Sequence, residues 1–253
     1  MKILSIGNSF SDDAHRYIAE IAKSNGEDIK TVNLYIGGCS LELHDENIKE
    51  DKPAYGITYG GVPTGFGTSI KTALESDDWD VVTLQQASHF SFDYSTYQPF
   101  LKNLTEYVRK YAPGAKLYIH QTWSYRVGSD NMFNLGFANH GEMFKRVKEA
   151  YFIAAQSANA PIIPGGEAME MLACTNTEHH RDAIHASLGI GRYLLGLVWY
   201  ETLTGKLAPR TDKITFDEPV SQTEIELAQK LAHKAVSMYR EDKLTETVFE
   251  KQL

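Results

Sequence analysis

Short apolar runs alternate along this chain with longer stretches in which apolar residues recur every three or four positions. The runs at 2–6, 29–36, 79–84, 115–120 and 161–164 are bounded by glycine, proline or polar clusters, and they read as short buried strands. The 3.6-residue period predicts helices over about 13–25, 68–76, 95–111, 141–158, 186–203 and 221–239, with a shorter one within 167–174. Two of these have clear stops, at Asn25-Gly26 and at Pro113-Gly114. The stretch 186–203 gathers Leu188, Tyr193, Leu194, Leu197 and Val198, and the last helix gathers Ile225, Ala228, Leu231, Ala232, Ala235 and Met238. Neither period appears in 42–68, with Pro53, Pro63 and glycines from Gly56 to Gly67, nor in 127–140; both are expected to be loops. Residues 165–185 are expected to be irregular around the short helix.

Strands alternating with helices predict an α/β fold, with a parallel sheet of about five strands covered on both faces. Right-handed crossovers put all the strand-end loops on one edge. The polar residues that follow the strands, Ser9, Gly38, Gln85 and Gln121, would then share a rim. No internal repeat or composition break divides the chain, so residues 1–253 are expected to form one domain, with the helix at 221–239 packed on it.

Composition narrows the function classes. Hydrophobic residues make up 42% and charged residues 23%, as in ordinary globular proteins. A net charge of −8 without any long basic run argues against a nucleic-acid partner. No apolar stretch is long enough for a transmembrane helix, so no membrane partner is expected. The opening MKILSIG is too short an apolar run for a signal peptide, which points to the cytoplasm. Cys39 and Cys174 are too few for a disulfide framework and read as free thiols.

Two stretches carry chemistry. Gly7-Asn8-Ser9-Phe10-Ser11 turns from the first strand into the first helix, where a serine is either a helix cap or a nucleophile near the helix's positive end. The second stretch is His179-His180-Arg181-Asp182-Ala183-Ile184-His185-Ala186-Ser187. Asp182, three residues before His185, can brace one imidazole nitrogen and leave the other to take a serine proton. Ser9, His185 and Asp182 thus make a nucleophile, a base and an orienting acid.

These residues resemble the SGNH (GDSL-type) hydrolases. Gly7-Asn8-Ser9 resembles that family's Gly-Asp-Ser block, Gly38 falls at its second-block glycine, and Asp182-Ala183-Ile184-His185 matches its Asp-x-x-His block. More narrowly, Gly-Asn-Ser-Phe-Ser, Leu-Gln-Gln-Ala-Ser and Arg-Asp-Ala-Ile-His, with Gly189-Ile190-Gly191-Arg192-Tyr193, resemble the branch known as DUF4886. The resemblance implies a three-layer, flavodoxin-like α/β/α sandwich and hydrolysis of small esters without a cofactor or metal. Asn8 departs from the family's aspartate. The family's Gly-x-Asn-Asp block, whose asparagine donates to the oxyanion, is replaced by Gln85-Gln86-Ala87-Ser88. The implied oxyanion hole is therefore the N–H groups of Ser9 and Gly38 with the amide of Gln85, or of Gln86 as the second choice.

The expected partner is a small-molecule acyl ester, best an acetylated saccharide or glycoside. Phe90, Phe92, Tyr94, Trp123, Tyr125 and Arg126 follow the third and fourth strands, where aromatic faces suit sugar rings. His120, Gln121, Trp123 and Tyr125 are expected against the alcohol portion. Two other classes use the same residues: a metal-dependent phosphoesterase built on Glu178, His179, His180, Asp182 and His185, and a non-catalytic ligand-binding module.

Overall fold

Alternation along the first strand sets the layers. In β1 (Lys2–Gly7), Leu4 and Ile6 point into one core and Ile3 into another, as the two-residue period of a strand requires. The computed structural model describes residues 1–208 and 214–240; positions 209–213 and 241–253 of the expected single domain lie outside the described residues.

After β1 come α1 (Ser9–His15), α2 (Ile18–Ser24), β2 (Lys30–Tyr35), α3 (Leu41–Lys49), β3 (Tyr55–Tyr59), β4 (Val62–Thr68), α4 (Ile70–Glu75) and β5 (Val81–Leu84). The order continues with α5 (Phe100–Tyr111), β6 (Lys116–His120), α6 (Asp130–Asn134), α7 (His140–Ala158), β7 (Ile162–Ile163), α8 (Gly165–Ala173), α9 (Ile190–Thr204) and α10 (Gln222–Met238). The sheet runs β4-β3-β2-β1-β5-β6-β7. The five expected strands are its parallel part, and β3 and β4 add an antiparallel edge. One core lies under α3, α4, α5 and α7, the other under α1, α2, α8, α9 and α10, which makes a three-layer α/β/α fold. Among the described residues no helix is long and apolar enough to cross a membrane. Cys39 and Cys174 are free thiols, the first buried and the second exposed.

The stretch expected as a loop at 42–68 is instead structured. Ser40 caps α3 by accepting from Leu43 N–H. The β3–β4 hairpin turns at Gly60-Gly61, both at positive φ, which the tight turns that match strand twist require. Its signal is masked because β4 is an exposed edge strand whose Pro63, Gly65 and Gly67 break the alternation. The helix expected over 13–25 is two helices. Asn8 starts α1 early by accepting from Phe10 N–H, and the chain leaves helical geometry at Tyr17, whose hydroxyl is drawn to Leu188 and Asp217. A short α6, capped by Ser129, lies within 127–140. The last-but-one helix starts at Ile190 rather than Ala186, because Ala186 pairs with His180 as an isolated bridge.

Strand order reverses at β1, with β2 on one side and β5 on the other. The crevice beyond the carboxyl ends of strands at such a point is where open α/β sheets bind ligands. Ser9 follows β1 there.

Candidate active site

Asn8 ends β1 and prepares Ser9. Its side-chain oxygen accepts from Phe10 N–H at 3.0 Å, and its amide donates to the Cys39 carbonyl at 3.3 Å, joining the first two strand-end turns. Ser9 is then the half-buried first residue of α1. No described group accepts a hydrogen bond from the N–H of Ser9 or of Gly38, and Gly38 turns through φ +61°.

Ser9 Oγ lies 2.9 Å from His185 Nε2, and His185 Nδ1 lies 2.8 Å from Asp182 Oδ2. Asp182 Oδ1 also accepts the backbone N–H groups of Ile184 and His185, each at 2.8 Å. Burial works to raise the Asp182 carboxyl, but these two N–H groups and the imidazole outweigh it and hold the pKa down to about 2. An anionic Asp182 fixes the proton on Nδ1 and leaves Nε2 bare to accept from Ser9. The structure thus brings together the three residues singled out as nucleophile, acid and base.

Groups that sequence reasoning passed over hold the two halves in register. Asp13, fully buried one turn along α1 from Ser9, accepts from Arg181 at 2.7 Å, from Arg192 at 2.9 Å and from Ala186 N–H at 3.1 Å. It therefore ties the helix that carries Ser9 to residues on both sides of the Asp182–His185 loop. Below, Phe10 stacks on Trp123 at 4.1 Å, and Trp123 Nε1 donates to the Ile184 carbonyl at 3.0 Å. Only the local helix spacing of Ser9 and Asp13 signals this; the arginines lie more than 160 residues away.

Several expected roles are corrected. The Gln85 amide donates to Asn8 Oδ1 at 2.7 Å, while its oxygen accepts from Ser11 Oγ at 2.6 Å and from His120 Nδ1 at 2.8 Å. The Gln86 amide donates to the Thr96 carbonyl and hydroxyl at 3.0 and 3.1 Å. Both glutamines are buried: the Gln86 amide is taken up by Thr96, and the Gln85 amide spends one of its two N–H groups on Asn8, so neither is free to face an oxyanion as a whole amide. His120, Gln121 and Trp123 are fully buried and Tyr125 is 4% exposed, so they do not line a substrate surface. The reason is α8, which closes the end of β6. Gly166 N–H bonds to the Gln121 carbonyl, and a Cβ on Gly166 would come 2.1 Å from the Thr122 carbonyl oxygen. Gln121 bonds to Glu167 N–H and to the Tyr239 hydroxyl, and Tyr125 to Ser88 at 3.0 Å. Phe92 and Tyr94 pack on the core, while Phe90 stays exposed.

The open space at Ser9 lies elsewhere. A cleft of about 480 Å³ runs between α1 and the β3–β4 hairpin, with Ser9, Asp12, Tyr35, Phe66, Arg181 and Arg192 in its walls. Burial raises the Asp12 carboxyl, partly offset by hydrogen bonds from Thr58 and Asn33. A larger cleft of about 770 Å³ lies at the amino ends of β5 and β6 and contains no histidine to serve as a base. His89, on the loop after β5, packs beside Gly38: a Cβ on Gly38 would be 4.0 Å from His89 Cε1. Its imidazole forms no hydrogen bond among the described residues, and partial burial lowers its pKa. His185 faces Ser9 and Asp182 backs His185, while Glu178, His179 and His180 gather separately, within 4.8 Å of one another.

Known proteins resemble this chain over most of its length. A family model described as a domain of unknown function, DUF4886, matches residues 2–235. A DUF4886 family protein from Bacteroides uniformis superposes with a TM-score of 0.83 at 32% identity, over 94% of this chain and 95% of that one. A proposed SGNH hydrolase from Slackia heliotrinireducens gives a TM-score of 0.60 at 26% identity, over 80% and 98%. The lipase/acylhydrolase from Enterococcus faecalis gives 0.54 at 16% identity, over 83% and 98%, a likeness of fold. No curated protein matches the chain.

Proposed function

The chain belongs to the DUF4886 family, and from that membership together with the disposition of Ser9, His185 and Asp182 we propose that it is a serine esterase of the SGNH type. The observation that carries this reading is the continuous path Ser9 Oγ–His185 Nε2 and His185 Nδ1–Asp182, with both separations under 3 Å. In the proposed cycle His185 takes the Ser9 proton as Oγ attacks the acyl carbon. Asp182 balances the imidazolium, the alcohol leaves with the proton, and water repeats the sequence on the acyl-enzyme.

The oxyanion would meet the free N–H groups of Ser9 and Gly38. For the third donor this reading favours the exposed His89 over the buried glutamines. Its depressed pKa keeps the ring neutral at neutral pH, with one N–H to donate, and it stands beside Gly38. The cleft supports a small acyl group on an uncharged, hydroxyl-rich alcohol, best an O-acetylated saccharide. Phe66 is 74% exposed and offers a stacking face. Arg181 and Arg192 both pair with Asp13, and Arg192 also with Asp217, so much of their charge is already held within the wall.

Hydrolysis of p-nitrophenyl acetate by the wild type and by Ser9→Ala tests the reading. A loss of roughly 10⁴-fold or more in kcat is expected. Activity that persists in Ser9→Ala would refute it.

A further inference from the structure

The segment that enters the catalytic loop presents Glu178, His179 and His180, donors that the esterase chemistry leaves unused. A carboxylate oxygen and one nitrogen of each imidazole lie within 4.8 Å of one another. The two histidines are only 7% and 5% exposed, with ring centres 4.4 Å apart.

Their hydrogen bonds fix the tautomers. His180 Nε2 lies 3.2 Å from the Ser124 carbonyl oxygen, and His179 Nδ1 lies 3.0 Å from that of Thr177. A carbonyl only accepts, so each of these nitrogens carries the proton. The other nitrogen on each ring is a bare lone pair. In His180 that atom is Nδ1, buried without any hydrogen-bond partner. In His179 it is Nε2, which no described group meets with a hydrogen bond. An imidazole that gives one N–H to a backbone carbonyl and offers its other nitrogen bare is set up as a metal ligand.

Glu178 supplies the third donor. Its Oε1 accepts the backbone N–H groups of His179 and His180 at 3.2 and 3.1 Å, which holds the carboxylate against the backbone of the two histidines. Its other oxygen meets Arg126 at 3.1 Å in an exposed pair of the kind a divalent ion outcompetes.

We propose that Glu178, His179 and His180 bind a divalent cation of the zinc class, and that the ion fastens the root of the loop carrying Asp182 and His185. Two nitrogens and one oxygen suit zinc, with a position left for water. A tetrahedral shell needs donors roughly 3.4 Å apart, so binding would draw the three inward by about an ångström. The root is already closed by the His180–Ala186 bridge, by Ser187 N–H on the His179 carbonyl at 2.8 Å and by Arg181 N–H on the His185 carbonyl at 3.1 Å. The ion adds to this closure and touches none of the reacting groups.

The test is calorimetric titration of zinc into chelator-treated, tag-free full-length protein, with the visible absorption of cobalt as a second readout. One equivalent per chain is expected in the wild type and in Ser9→Ala. The His179→Gln/His180→Gln pair should lose it. Glu178→Gln, at an exposed side chain that leaves the fold intact, should weaken it by at least about tenfold and shrink the zinc-dependent rise in Tm. The proposal is overturned if the wild type shows no saturable binding, or if stoichiometry and affinity are unchanged in these variants. Because the readout is binding, its failure would leave the esterase reading untouched.

Discussion

His89 and the two glutamines show how far a side chain's job depends on what stands next to it. Sequence places Gln85 and Gln86 at the end of β5, where an amide could face an oxyanion. In the fold, Asn8, Ser11, His120 and Thr96 take up their hydrogen-bonding groups. The exposed imidazole three residues beyond Gln86 is left beside Gly38. His89→Ala is therefore expected to lower kcat on an acetyl ester by about 10²–10³-fold, with KM little changed, and His89→Asn to recover part of the loss by restoring a donor. A His89→Ala variant with wild-type kcat would remove His89 from the oxyanion hole. Ser9, Asp182 and His185 were legible because their signals are local: a strand-to-helix turn, and a carboxylate three residues before an imidazole. Asp13 was not, because its meaning lies in Arg181 and Arg192, which only the folded chain brings to it.

At the scale of elements, the five parallel strands were legible because most are short apolar runs with polar ends, largely buried within the sheet. The hairpin was not, since β4 is exposed along nearly its whole length and has no apolar face to mark it. That omission also hid the cleft, whose outer wall is the hairpin. The aromatic and polar residues after β6 misled for the converse reason. Residues at a strand end look available in sequence, but α8 packs directly over this one, and Trp123 becomes a support beneath Ile184. The loop of residues 178–187 joins the two halves of the site, tied to α1 through Asp13 and closed at its root by backbone pairing.

For the whole molecule, buried histidines set a pH limit. Burial lowers His15, His44 and His120 from 6.5 to about 3 in the folded protein. The unfolded chain binds protons at these sites below about pH 6.5 and the folded one does not until about pH 3, so stability falls as pH drops through that window. Each site contributes up to about 1.4 kcal/mol per pH unit. The urea midpoint is expected to fall steeply between pH 7 and 5, and a midpoint flat over that range would contradict this account.

The central claim is that Ser9 is an activated nucleophile. The most direct measurement is the intact mass of the wild type and of Ser9→Ala after exposure to a fluorophosphonate, followed by peptide mapping. One phosphonyl adduct on the wild type, carried by the peptide containing Ser9 and missing from Ser9→Ala, is the predicted result. A wild type that stays unlabelled, or an adduct that persists in Ser9→Ala, would contradict it.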